Sequence, residues 1–242
     1  MSDQMTNMTE GHTVRAYDAE MEQLRTMVLE MGGLVVDQVR EAVKAICGKN
    51  GDSANCVVDR EKQVNQYDTG GEELIFNVLA KRQPMGGDLR VVMSYSRAIT
   101  DLERSGDEAK KIAKIARRRI EDDAESDIAD AFKDAAGDMG KLATNLLKTA
   151  VEALDEADEE KAVQAAQADA RLDAEYKIAL RNIHNALLSN PSLVEVAADL
   201  VIVIKALERI GDHAKNIAKY VVFIVQGKDV RHVKTKVLDQ EI

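Results

Sequence analysis

The chain has 242 residues, a formal net charge of −10, two prolines, three phenylalanines and no tryptophan. That length allows one large core or two ordinary domains, and a composition rich in Ala, Glu, Lys, Leu, Asp and Arg argues for helices over strands. An acidic chain with 3% aromatic residues lacks the basic face that phosphate neutralisation requires, which excludes nucleic acid as a partner.

The opening "MSDQMTNMTEGHTVR" lacks the apolar core of a signal peptide, so residues 1–14 read as a disordered N-terminus. A helical pattern begins near Tyr17 and carries Val35, Val39, Ala42 and Ile46 at steps of four, three and four. The turn-rich "CGKNGDSANC" is expected to stop it, leaving Cys47 and Cys56 as reduced thiols near a helix–helix connection. A second helix is expected from about Ala54 to Arg82, ahead of Pro84, and a third from about Asp88 to Arg118. The charge run "RRRIEDDAESD" marks a boundary; residues 121–160 hold 14 acids against three lysines.

Beyond that boundary the plan repeats. Ile128, Phe132, Ala135, Met139, Leu142 and Leu146 alternate steps of four and three. Asp158 opens the next helix, which runs to Ser189 before Pro191, and the last runs to Gln226 with Gly227 as its stop. Val203, Leu207, Ile210, Ala214, Ile217, Val221 and Ile224 form an unbroken seam suited to shallow antiparallel packing. Both prolines fall between the second and third helix of a unit. "DLERSGDEAKKIAK" at 101–114 matches "ALERIGDHAKNIAK" at 206–219 in register. The expectation is an all-α fold of six long helices: two tandem three-helix bundles related by duplication. They would span residues 15–120 and 121–228, with a C-terminal tail at 229–242. No uninterrupted apolar run reaches the ~18 residues of a membrane span.

On a helical wheel Glu208 and Asp212 lie about 140° and 180° from their seam, and Glu103 and Asp107 sit similarly, so all four are expected to point away from their bundle core. Acids four residues apart repel, and Lys110 and Lys215, three residues beyond the aspartates, are in place to pair with them. Gly106 and Gly211 stand mid-helix at the same register, where each costs ~1 kcal/mol relative to Ala and signals a close approach. The second helix of each unit adds a pair: Glu61 with Asn65, and Asp169 with Asp173. Four oxygen side chains per unit would suit a hard cation such as Mg²⁺, Mn²⁺ or oxidised iron, and not a closed structural zinc site. His213, with Glu108 at the matching place in unit one, reads as a packed or solvated histidine.

"EKQVN", "AKRQPMGGDLRVVM", "DLERSGDEAKKI", "DARLDAEY", "ALERIGDHAKNIAKYV" and "GKDVRHV" together resemble the phosphate-uptake regulator family, PhoU. The resemblance runs from about residue 17 to 233. It implies paired three-helix bundles, frequent dimers, and iron or zinc held on acidic bundle faces. It also implies a cytoplasmic negative regulator of phosphate uptake and of the phosphate-starvation response. Such a protein is thought to contact the phosphate ABC transporter ATPase and a sensor histidine kinase, meeting the membrane only through them. The metal positions it carries over are Glu61, Glu103, Asp107, Asp169, Asp173, Glu208 and Asp212, with Asn65 departing from the acidic pattern. That departure makes unit two the expected tighter site. Asp88 and Arg90 of "RQPMGGDLR", with Arg104 and Arg209 of the repeated motif, are candidate partner contacts; Asp88 also suits a helix start. Without a phosphate loop or a nucleophile partnered by a base, a weak metal-dependent hydrolase is the lesser reading, beside a structural or metal-storing bundle.

Overall fold

A computed structural model describes residues 15–121, 129–231 and 233, with only the helical backbone of 129–133. The readings placed on residues 1–14, on the junction at 122–128 including Ile128, on the side chain of Phe132 and on residues 234–242 lie outside the described residues. The elements are α1 (Arg15–Gly48), α2 (Gly51–Arg82), α3 (Gly86–Glu121), α4 (Ala129–Glu156), α5 (Glu159–Ser189), a short 3-10 turn (Pro191–Leu193) and α6 (Val194–Gln226). Helices α1–α3 form one bundle and α4–α6 the other.

The duplication extends to the turns. Lys49 and Ala157 each adopt a left-handed φ of 48°, and each is followed by a capping residue. Asn50 and Asp158 accept from the backbone N–H of Ser53 and Lys161, both at 3.0 Å. These caps correct one expectation. The break after α1 is only Lys49 and Asn50, because the Asn50 cap starts α2 at Gly51, and both cysteines lie within helices. The third helix also starts earlier than expected, at Gly86, and reaches Glu121. The α2–α3 and α5–α6 turns differ. Gln83 ends α2 in a left-handed conformation, whereas Asn190 caps the 3-10 turn that leads into α6. Gly227, with φ of 73°, stops α6 as expected.

All seven residues of the α6 seam are buried, and a single apolar cluster runs through both units. The inner helices α1, α3, α4 and α6 make that shared core, with α2 and α5 flanking it. Contacts across the α1–α4 interface are reciprocal. A Cβ at Gly32 would lie 2.8 Å from Val151, and one at Gly140 would lie 2.6 Å from Val43. Such exchange of equivalent partners is what a two-fold relation demands, here within one chain. Among the described residues no helix is long and apolar enough to cross a membrane.

Candidate functional site: two lysine-closed acidic faces

Gly106 and Gly211 explain how the outer helices reach the acid motifs. A Cβ at Gly106 would meet Gln38 at 3.0 Å and Val64 at 3.4 Å; one at Gly211 would meet Leu172 at 2.3 Å and Asp169 at 3.2 Å. The close approach signalled by these glycines is therefore made by side chains of neighbouring helices.

In unit two, Lys215 on α6 donates to Asp169 Oδ2 on α5 and to Asp212 Oδ1, both at 2.6 Å. Asp169 is only 4% exposed. Burial raises its carboxyl pKa, with the bond to Lys215 pulling the other way and the charges of Asp173 and Asp212 adding to the rise. Burial works against the Lys215 ammonium, yet its bonds to Asp169 and Asp212 outweigh that and lift its pKa above the ordinary lysine value. Lys205 closes the rest of this face, donating to Glu208 at 2.6 Å and lying 5.4 Å from the centre of the Tyr176 ring.

Unit one repeats the device. Lys110 on α3 donates to Glu61 Oε1 on α2 at 2.9 Å and pairs with Asp107 at 3.6 Å. Glu61 is 6% exposed and also accepts, at 3.4 Å, from Gln38, whose amide donates to the carbonyl of Val57 at 3.1 Å. The bond to Glu61 is the main reason the Lys110 pKa is raised.

The structure thus brings Glu61 and Asp107 to one lysine and Asp169 and Asp212 to another. Asn65 is exposed, and Asp173 is half-buried near Asp169. Glu208 departs from the outward placement expected of it: its side chain is 13% exposed, because it folds against Lys205. Asp68 was missed by the motif reading. It lies seven residues after Glu61, on the same face of α2, and its charge helps to raise the Glu103 carboxyl, after burial and Asp107. Unit one therefore sets Glu61, Asp68, Glu103 and Asp107 against Lys110 and Arg104, and unit two sets four acids against Lys215 and Lys205. Asp68 thus supplies in unit one the fourth acid that Asn65 does not, and each face sets four acids against two cations.

The candidate partner residues fall in different settings. Asp88 occupies the first turn of α3, and its charge adds to burial in raising the Tyr17 phenol pKa. Arg90 packs over the end of α6, 3.4 Å from where a Gly227 Cβ would stand, a favourable place for a cation near a helix C-terminus. Arg209 donates to Glu108 at 3.1 Å across the two units, and Arg104 is exposed. His213 is packed, its Nδ1 2.7 Å from Asp101 Oδ1. Asp101, which opens the repeated stretch in unit one, is a buried acid that the site reading did not include.

Among the described residues no three carboxylate, imidazole or thiol groups are placed to hold one metal ion. The oxygen donors are of the right type for a hard cation, but in each unit a lysine ammonium stands where the ion's charge would go. As folded, the donor set does not fit a resident metal.

Duplicated three-helix bundles joined through their inner helices, with a repeated Leu-Glu-Arg-x-Gly-Asp helix, define a class of tandem-bundle proteins. The family model described as "PhoU domain" matches twice, at residues 28–116 and 137–221. The chain belongs to the PhoU family. It is 36% identical over 231 residues to the "Phosphate-specific transport system accessory protein PhoU homolog" of Pseudomonas putida, covering 96% of this chain and 89% of that one. Its identity to the accessory protein PhoU of Escherichia coli K12 is 30% over 229 residues, covering 95% and 93%. The crystal structure of PhoU from Pseudomonas aeruginosa superposes with a TM-score of 0.83 at 34% identity, covering 88% of this chain and all of that one. The phosphate transport system regulatory protein PhoU from Streptococcus pneumoniae gives 0.78 at 26%, covering 88% and 99%.

Proposed function

We propose that this chain is a cytoplasmic negative regulator of phosphate uptake and of the phosphate-starvation response. It acts as a non-catalytic adapter, as a homodimer, between a phosphate ABC transporter ATPase and a phosphate-responsive sensor histidine kinase. The carrying observation is that the family model matches both units of a chain aligned over nearly its full length with proteins named as phosphate-transport accessories. The geometry supports an adapter: the buried acids are engaged by lysines that tie helices together.

Deletion of the gene in its native cell should raise phosphate uptake and a starvation-promoter reporter in phosphate-rich medium, and complementation should reverse both. Unchanged uptake and reporter, in a strain without a second copy, would overturn the proposal. Immobilised protein should retain the transporter ATPase or the kinase from a lysate.

A further inference from the structure

We infer that this chain neutralises its acid motifs with its own lysines, and that Lys110 and Lys215 determine whether the two faces accept a metal ion. The observation is made twice, independently, in the two units. Each lysine belongs to an inner helix, three residues after the motif aspartate, and each reaches a buried carboxylate on the flanking helix: Glu61 from Lys110 and Asp169 from Lys215. The carboxylate oxygens that would ligate a cation are those facing Nζ, at 2.6 Å for both Asp169 and Asp212.

A hard cation needs about six oxygen donors within roughly 2.6 Å. To enter, it must expel an ammonium that is tied to both helices and leave it near its own positive charge. The bonds lost are charge-assisted, and the lysine that loses them stays half-buried at an unfavourable site. The lysine therefore cross-links flanking to inner helix, a role a bridging metal would otherwise fill, and it does so without a dissociable ion. Replacing it with a neutral side chain should uncover what the acids can bind. The effect should appear in both units, because in each the lysine is the cation that bridges the flanking and inner helices.

The test is Mn²⁺ titration by calorimetry, with melting curves in chelator and in 1 mM Mn²⁺, on the full chain and on Lys110→Gln, Lys215→Gln and Asp169→Asn/Lys215→Gln. The wild type should show no saturable site below about 1 mM and the same melting temperature in chelator and in Mn²⁺. Each single Gln variant should gain a site at least about tenfold tighter, and its melting temperature should rise with Mn²⁺. The double variant, which removes charge and counter-charge together, should fold without metal and gain no site. Micromolar binding by the wild type that Asp107→Asn or Asp212→Asn abolishes overturns the inference, as do Gln variants that bind no better than wild type. If a Gln variant folds only with metal, its refolding midpoint in Mn²⁺ replaces the titration: dependence on Mn²⁺ that the wild type lacks supports the inference, and a chain that no Mn²⁺ concentration folds counts against it.

Discussion

Tyr220 on α6 donates its phenol to Oδ2 of Asp101 on α3 at 2.8 Å, across the seam between the two units. Asp101 is 4% exposed and also receives Asn216 at 3.4 Å and faces His213 at 2.7 Å. The position matching Asp101 in unit two is Ala206, so this knot is made once and breaks the two-fold relation. Asp101→Ala should cost about 2–4 kcal/mol in urea unfolding, because it strands the buried Tyr220 phenol and removes the partner of the part-buried Asn216 and His213, and Tyr220→Phe about 1 kcal/mol. The double variant should cost less than the sum of the two single costs, since both residues share one network. Strict additivity would show that the phenol and the carboxylate act separately.

Lys215→Ala leaves Asp169 buried beside two further acids. A loss of about 2–3 kcal/mol is expected, read as a melting temperature lower by about 5–10 °C in metal-free buffer. Asp169→Asn/Lys215→Met should recover most of it, because neither charge then remains buried. A single Lys215→Ala variant as stable as wild type would mean that the pair contributes nothing net.

The pH dependence at Glu103 has a definite sign. Burial first, then Asp107, Asp68 and Glu61, raise its carboxyl pKa in the folded state, with Arg104 opposing. Its contribution to stability is therefore fully present below the unfolded carboxyl pKa of about 4.3 and is lost as pH rises through the raised folded value. Glu103→Gln should thus raise the melting temperature by about 1–2 °C at pH 7 and give no gain near pH 4. A lower melting temperature at pH 7 would place an unrecognised cation beside Glu103.

Two glycines should respond in opposite directions. Gly33 on α1 is exposed, with open space around its missing Cβ, so Gly33→Ala should stabilise by about 0.5–1 kcal/mol through helix propensity. Gly140→Ala would press on both γ-methyls of Val43 at 2.6 Å, and a β-branched side chain on a helix has little freedom to yield. Its expected cost is about 1–3 kcal/mol. Equal effects from the two substitutions would contradict the tight α1–α4 contact.

The helices, their order and their duplication were legible in the sequence because they rest on local causes. A four-three apolar step marks the buried face, proline ends a helix, and glycine accepts the left-handed cap at Gly227. The connection after α1 was misread because "CGKNGDSANC" is rich in turn formers, and only the Asn50 cap shows how short the turn is. The repeated acids and glycines were also legible, as was the lysine three residues beyond each aspartate. What local spacing does not carry is reach between helices. That Lys215 bonds to Asp169 as well as Asp212, that Asp68 joins Glu103, and that Asp101 gathers His213, Asn216 and Tyr220 all depend on how antiparallel helices are set in register. That register is fixed by packing at Gly211 against Leu172, at Gly106 against Val64, and at Gly32 and Gly140 across the units. The sequence by itself determined which side chains carry charge and which helix each rides on. Tertiary packing decided which charges meet, because a carboxylate on one helix is neutralised by whatever cation the neighbouring helix brings within hydrogen-bond distance.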